Sequence, residues 1–312
     1  MADPVTPIQS RPASGRRRGV TGRGLGLLAL SVAVLIWGST FVVSDVALTE
    51  MGPATLTFAR FAVSLLVLLP FGIARGLTVG GMFRRRYALC GLTGVALYYG
   101  LQNLGLRFTT PDSAALLQAA LPVLTVGLGV LWLGEAISPR RVVCLGLSVL
   151  GMLLVVGHGD AGAGRIGDAA VLGGVAAYAF YTAYVRRIVA GTDPLMLTCA
   201  ANAWGLVFLA PWLLWEIATK GPGSMSLHAG LALAYLGVMA SAVTLFLWTF
   251  ALRKMPASVA GVFTGAIPAA GYAFSLFTGA PFAWSRLAGG ALAVAGVTLP
   301  SIGHQVPART HD

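Results

Sequence analysis

Long runs of apolar residues, separated by short connections that contain charged residues, glycine or proline, recur along almost the whole chain. A helix needs about 20 apolar residues to cross the hydrocarbon core of a bilayer. Ten runs approach that length: residues 25–45, 54–74, 87–106, 112–133, 141–157, 168–185, 195–216, 229–251, 257–279 and 285–302. The sequence therefore predicts an all-α polytopic membrane protein with ten transmembrane helices.

The composition excludes a soluble globular protein. Only 10% of the residues are charged and 57% are apolar, whereas soluble domains contain about 25% charged residues. The net charge of +11 is also typical of nucleic-acid-binding proteins, but here the basic residues flank the apolar runs. We therefore expect the lipid bilayer, and not nucleic acid, to surround this chain.

The distribution of lysine and arginine predicts the orientation in the membrane. With a cytoplasmic N-terminus, 16 of these residues lie on the inner side and 4 on the outer side. The positive-inside rule then predicts that both termini lie in the cytoplasm, and we expect the protein in the plasma membrane. Residues 1–24, which are basic and rich in glycine and proline, are predicted to be a disordered cytoplasmic tail, and residues 303–312 a second cytoplasmic tail.

The two halves of the chain, residues 25–157 and residues 168–302, repeat each other in two alignments. The first alignment places Trp37 on Tyr178, and the second alignment, offset from the first by a small insertion, places Pro122 on Pro268. Each repeat contains five predicted helices, and because five is odd, the repeats are inverted relative to each other in the membrane. Inverted repeats are typical of transporters, which bind substrate near the midplane where the repeats meet.

Prolines near the middle of two predicted helices indicate such a binding site. Pro122 and Pro268 have no N–H for the carbonyls of Gln118 and Thr264, four residues earlier. Unsatisfied carbonyls and polar side chains are costly at this depth in a bilayer, so we expect all four residues to face a cavity. The alternative is a proline kink in which local rearrangement satisfies the carbonyl.

Aromatic and amide side chains supply the rest of the predicted lining. They lie away from the helix ends, where interfacial aromatic belts form. The aromatic members are Trp37, Tyr98, Tyr99, Tyr178, Tyr181, Trp204 and Tyr272, and the amides are Gln102, Asn103 and Asn202. Trp248, by contrast, is interpreted as part of an interfacial belt. A cavity of this kind suits zwitterionic or amphipathic organic molecules.

Arg60 is the charged residue that lies well inside a predicted span. About 10 Å of helix separate it from the start of that span, so its side chain is expected to snorkel to the interface and to pair with Asp45. A structural anchor or coupling charge is favoured over a contact with substrate, but both interpretations stay open. Glu135 is interpreted as an interface group near Arg140 and Arg141.

Three sets of residues resemble motifs of the EamA family of the drug/metabolite transporter superfamily. They are Trp37-Gly38-Ser39-Thr40-Phe41, Pro53 with Arg60-Phe61, and Pro122 with Gly134-Glu135. The resemblance implies a ten-helix carrier that moves amino acids or other small metabolites, commonly outward, by alternating access. The second repeat has Ala201 in place of Arg60 and Pro281 in place of Glu135, so the resemblance does not imply symmetric charges.

Other functions are weighed by the groups they require. Catalysis needs a nucleophile with a base, paired carboxylates or metal ligands, and no histidine or carboxylate is central to a predicted span. We therefore expect no enzyme activity, cofactor or metal. A non-transporting receptor or scaffold and a proton-coupled multidrug carrier stay as alternatives; the second would use Asp45, Asp112 or Glu135. For a transporter, amphipathic drugs are a second candidate substrate class. The sequence predicts no oligomeric state.

Overall fold

The described part of the chain is helical, with short connections and no strands. The computed structural model describes residues 17–109, 114, 117–118, 120–136, 139, 142–143, 145–147, 149–150, 165–221, 225–277, 282, 284, 287–289 and 291–292. Its α-helices are α1 (Arg17–Leu48), α2 (Pro53–Ala74), α3 (Val79–Met82), α4 (Ala88–Gly91), α5 (Tyr98–Gly105), α6 (Ala120–Leu131), α7 (Arg165–Ile188), α8 (Pro194–Lys220), α9 (Leu227–Gly237), α10 (Thr244–Lys254), α11 (Ala257–Thr264) and α12 (Ile267–Phe277). The helix α1 begins at Arg17, so residues 17–24 of the predicted disordered tail are helical.

Five helical segments in the described residues are long and apolar enough to cross a membrane. They are Gly24–Leu48, Pro53–Ala74, Arg165–Gly191, Pro194–Lys220 and Leu227–Lys254. Two shorter apolar segments are Ala120–Leu131 and Ala257–Gly271. These segments make the chain a multi-pass membrane protein, in agreement with the sequence. The count of ten helices stays a prediction, because much of the predicted spans 141–157 and 285–302 lies outside the described residues.

Two helical rods contain a π-helical turn at equivalent positions. The first turn, π1 (Leu92–Leu97), joins α4 to α5, and the second, π2 (Val238–Val243), joins α9 to α10. The second alignment found in the sequence, which places Pro122 on Pro268, also places one turn on the other. Because π-helical turns are rare, their coincidence indicates that this alignment relates equivalent pieces of structure.

Close approaches between helices also occur at equivalent positions in the two repeats. A Cβ atom added to Gly91 in α4 would lie 2.8 Å from the carbonyl oxygen of Ala201 in α8. A Cβ atom added to Gly237, the equivalent of Gly91 in the second alignment, would lie 3.1 Å from the carbonyl oxygen of Arg60 in α2. Ala201 and Arg60 are themselves equivalent in the first alignment, which places Trp37 on Tyr178. Glycine is therefore needed at both positions for one repeat to pack against the other.

The equivalent helices α2 and α8 pack against each other and run in opposite directions. Near the end of α8, the Glu216 carboxylate accepts hydrogen bonds from the N–H groups of Ala54 (3.2 Å) and Thr55 (2.8 Å), at the start of α2. At the opposite end of the pair, Arg75, after α2, lies 3.8 Å from Asp193, which precedes α8. Each carboxylate satisfies backbone donors at the positive end of a helix dipole.

The helices α6 and α11 form a second antiparallel pair. Glu135, just after α6, accepts hydrogen bonds from the N–H groups of Ala257 and Ser258 at the start of α11, both 2.9 Å long. The sequence did not predict this capping role; Arg140 and Arg141, which were expected near Glu135, lie outside the described residues. Glu135 therefore ties the end of a first-repeat helix to the start of a second-repeat helix.

Candidate functional site

An aromatic cluster lies where the two repeats meet. Its members are Trp37 from α1, Tyr98 and Tyr99 from α5, Tyr178 and Tyr181 from α7, and Trp248 from α10. All six side chains are buried. Tyr178 lies at the centre: its ring centroid is 4.3 Å from that of Tyr98, 5.7 Å from that of Trp37 and 5.2 Å from that of Tyr181. The structure thus brings together five aromatic residues that the sequence assigned to the lining.

The sixth member, Trp248, was assigned wrongly to an interfacial belt. Its side chain is 0% exposed, and its ring centroid lies 5.2 Å from that of Trp37 and 6.0 Å from that of Tyr178. The sequence did contain a signal for this position, because the second alignment places Trp248 on Gln102, a predicted lining residue. The position equivalent to Trp248 in the first repeat indicated burial, whereas the distance of Trp248 from the end of its helix indicated the membrane interface.

A small cavity adjoins the aromatic cluster. It is lined by Trp37, Thr40, Phe41, Tyr98, Tyr99, Gln102, Gln118 and Ile267, and its volume is about 10 Å³. That volume is near the minimum that holds one water molecule, so the repeats are closed around it in this structure. Thr40 and Phe41 were not assigned to the lining, although both belong to the motif that begins at Trp37. Both repeats contribute to the wall, since Ile267 comes from the second.

The polar groups around this cavity are incompletely bonded within the described residues. The Tyr98 hydroxyl donates to Gln118 Oε1 over 3.5 Å, whereas Gln118 Nε2 and Gln102 Oε1 have no hydrogen-bond partner there. The same holds for the Tyr178 hydroxyl and the Trp248 indole N–H. Buried polar groups are nearly always hydrogen-bonded in proteins, so the Gln102 and Gln118 atoms, which line the cavity, are available to a polar ligand.

The two asparagines tie helices together and do not line the cavity. Asn103 Nδ2 donates to Thr57 Oγ1 over 2.8 Å, and Asn202 Nδ2 donates to Ser64 Oγ over 2.7 Å. A pair in the second repeat, Thr198 with Thr249 at 3.4 Å, lies at the positions equivalent to Thr57 and Asn103. These bonds satisfy polar atoms inside the helix bundle, which lipid cannot do.

The proline helices differ from the sequence prediction in one respect. The Gln118 carbonyl, predicted to be freed by Pro122, accepts a hydrogen bond from the N–H of Leu121 over 2.9 Å. Local tightening of the chain therefore satisfies this carbonyl, as the alternative interpretation holds, and Pro122 is buried within α6. The Gln118 side chain still faces the cavity.

In the second repeat the helix is interrupted ahead of its proline. The helix α11 ends at Thr264 and α12 begins at Ile267, so Pro268 is the second residue of α12. The buried Thr264 hydroxyl donates its hydrogen to the Gly261 carbonyl of its own helix over 2.6 Å. The hydroxyl can therefore act towards a ligand only as a hydrogen-bond acceptor. The side chains of Pro268 and Tyr272 lie outside the described residues.

Arg60 is buried and does not reach the interface as the sequence predicted. Its side chain is 2% exposed, and Nε donates to Ser241 Oγ in π2 over 2.9 Å. The guanidinium carbon lies 4.6 Å from the ring centroid of Tyr99 and 5.5 Å from that of Phe61. Asp45 is exposed, and no described carboxylate lies within ion-pair distance of Arg60. The predicted Arg60–Asp45 pair is therefore wrong for this structure.

No group of three or more histidine, cysteine, aspartate or glutamate side chains in the described residues is arranged to hold a metal ion. The site is instead an aromatic and amide surface with one buried cation beside it. Such a surface can hold an apolar body by ring contacts and orient it through a few hydrogen bonds.

Comparison with known proteins adds the family. The model of the EamA-like transporter family matches residues 24–157 and residues 165–302. An uncharacterized transporter of Archaeoglobus fulgidus is 29% identical over 280 residues, which cover 87% of this chain and 96% of that protein. A protein of Streptantibioticus cattleyicolor named "Probable terminal-alkyne amino-acid exporter" is 28% identical over 286 residues, or 87% of this chain and 91% of that protein. A crystal structure of a protein with 20% identity superposes with a TM-score of 0.75 over 89% of this chain and 97% of that one, which shows the same fold.

Proposed function

The chain belongs to the EamA-like transporter family, and we propose that it exports small organic metabolites, such as amino acids or amphipathic drugs, by alternating access. The cavity lined by residues of both repeats is the observation that carries this proposal. Aromatic rings suit an apolar body, and the unpartnered amide atoms of Gln102 and Gln118 suit its polar groups. The name of the relative from Streptantibioticus cattleyicolor gives further support for amino acids as the substrate class.

In this proposal ten transmembrane helices form two inverted repeats in the plasma membrane, with both termini in the cytoplasm. The antiparallel arrangement of α2 with α8 supports the inversion, because the first alignment, which places Trp37 on Tyr178, makes these helices equivalent. The two π-helical turns support the correspondence between the repeats. The excess of basic residues on one side supports the orientation.

The small volume of the cavity supports a mechanism in which the repeats separate to admit substrate. A cavity of about 10 Å³ is too small for an amino acid, so the aromatic cluster must part on one side before substrate binds. Glu135 ties α6 to α11 at one end of these helices only, within the described residues. Breaking and reforming this contact would open and close one entrance.

Purified protein in liposomes tests the proposal. We expect uptake of amino acids or cationic drugs above that of empty liposomes, measured with and without an imposed pH gradient. Changing Gln118 to Ala should raise the apparent KM, because a buried partner of the substrate is lost, whereas Thr264→Ala should have a smaller effect, since the Thr264 hydroxyl is bonded to its own helix. Failure of every compound to cross faster than through empty liposomes would favour a receptor or scaffold.

A further inference from the structure

The guanidinium of Arg60 is buried between the two repeats, and no carboxylate among the described residues pairs with it. Of its donors, Nε is used by Ser241, and one terminal nitrogen has no hydrogen-bond partner among the described residues. Tyr99 and Phe61 offer ring faces, which attract a cation but supply no formal negative charge. A buried charge that is neither paired nor fully hydrogen-bonded destabilises the fold. Such a residue inside a membrane protein therefore indicates a functional site.

The two described carboxylates at the ends of the α2–α8 pair are occupied elsewhere, and Asp45 is exposed and forms no ion pair with Arg60. Glu216 in α8 is buried, and its carboxylate binds the N–H groups of Ala54 and Thr55 at the start of α2. Ala54 lies about 9 Å from Arg60 along the axis of α2, by the helical rise per residue. Asp193 precedes α8 and pairs with Arg75. The anion that completes Arg60 is therefore not supplied by this part of the chain.

Arg60 lies directly behind the wall of the cavity. Tyr99 stacks on the guanidinium with one face, and the same residue lines the cavity and contacts Tyr98 at 4.6 Å between centroids. Tyr99 therefore separates the guanidinium from the cavity and contacts both. On the other side, Ser241 lies in π2 of the second repeat, so Arg60 contacts both halves of the carrier.

We propose that Arg60 binds the carboxylate of a small organic acid with an apolar body, and that Tyr99 covers the guanidinium when substrate is absent. This inference rests on the proposed transport function and adds to it the carboxylate by which the preferred substrates are recognised. Arginine presents several N–H donors in a planar fork that matches a carboxylate. In the closed structure the face of the Tyr99 ring lies where the substrate carboxylate would bind. When substrate binds, its apolar body contacts the aromatic cluster.

The test uses four probes of similar size that differ in their charged groups. Leucine has a carboxylate and an ammonium, 4-methylpentanoate only the carboxylate, and leucinamide and isoamylamine only the ammonium. With purified full-length protein, we expect leucine and 4-methylpentanoate to be bound and transported about 10- to 100-fold better than the two amines. Arg60→Gln should abolish this preference, and Arg60→Lys should retain part of it.

Arg86→Gln is the matched control, because Arg86 also stacks its guanidinium on a tyrosine, Tyr87, at 4.7 Å, but its side chain is exposed. This control should keep the preference for carboxylates. The melting temperature gives a second readout: in the absence of probe, Arg60→Gln should be at least as stable as the wild type, because an unpaired buried charge is removed.

The outcomes separate this inference from the transport proposal. Equal transport of all four probes by the wild type, or an unchanged preference in Arg60→Gln, would overturn the carboxylate site and leave the transport proposal standing. An Arg60→Gln protein that melts well below the wild type, or does not fold, would assign Arg60 to a structural role instead. A wild type that moves none of the probes and none of the broader compound panel would contradict transport itself.

Discussion

Trp248 contributes ring contacts from the second repeat to an aromatic cluster otherwise built by α1, α5 and α7. We predict that Trp248→Leu loses the contacts with Trp37 and Tyr178, which destabilises the fold by about 1–3 kcal/mol, at about 0.5–1.5 kcal/mol for each aromatic pair. The same change should slow transport roughly tenfold, which corresponds to about 1.4 kcal/mol. Thermal unfolding in detergent and initial uptake rates measure the two effects.

Trp215→Leu is the control for this prediction. Trp215 is 57% exposed, so its replacement should leave both unfolding temperature and uptake close to those of the wild type. If Trp248→Leu behaved like Trp215→Leu, the aromatic cluster would have no part in holding the repeats or the substrate.

For single residues, the sequence predicted the depth in the membrane better than the direction of the side chain. The position of Arg60 along its helix gave the approximate depth, but the direction of its side chain around the helix axis depends on packing against Tyr99 and Ser241, which are distant in sequence. Trp248 failed for the same reason: a tryptophan near the end of a helix can face lipid or protein. The Gln118 side chain lines the small cavity, and its role in binding substrate stays a prediction, but its carbonyl is not free.

Among the helices, the contact between α6 and α11 depends on Glu135. We predict that Glu135→Ala weakens it, since the loss of a side-chain cap costs about 0.5–2 kcal/mol. Two exposed positions can carry spin labels: Leu131, which Glu135 follows closely, and Lys254, just before α11. The mean separation of the labels should increase in the variant, as measured by pulsed electron spin resonance.

Glu50→Ala is the matched control for the cap. The Glu50 carboxylate accepts hydrogen bonds from the backbone N–H and the hydroxyl of Ser226, both 2.6 Å long, ahead of α9. Removing it should leave the distance between the labels unchanged. An unaltered distance in Glu135→Ala as well would mean that α6 and α11 are held together by other contacts, such as the packing of Thr125 against Gly261.

The apolar runs predicted the helices well because the free energy of placing a helix in lipid is close to a sum over its own residues. Interruptions within a helix were harder to predict. Nothing in the sequence of Leu92–Leu97 announced a π-helical turn, since such a turn is stabilised by packing between helices. The alignment that places Pro122 on Pro268 does, however, place π1 on π2, so the two turns are equivalent in the repeats.

For the molecule as a whole, the proposed inversion of the repeats predicts that equivalent connections are accessible from opposite sides of the membrane. Arg107 and Arg253, which are equivalent in the second alignment and both exposed, should emerge on opposite faces of the membrane. In a background without Cys90, Cys144 and Cys199, we expect a membrane-impermeant maleimide applied from outside intact cells to label Arg107→Cys. Arg253→Cys should be labelled only after the cells are made permeable. Labelling of both from the same side would contradict the inverted repeats and the transport mechanism built on them.

The difference between Arg60 and Ala201 has a consequence for the resting carrier. Two identical halves related by a two-fold axis in the membrane plane would give inward-open and outward-open forms of equal free energy, each occupied half of the time. A charged side chain in one half and a methyl group at the equivalent place in the other remove that degeneracy, and a bias of about 1.4 kcal/mol is enough for a tenfold difference in occupancy. In the proposed arrangement, the two open forms of the empty carrier would therefore differ in occupancy, and a substrate that neutralises the arginine would change the ratio between them each time it binds.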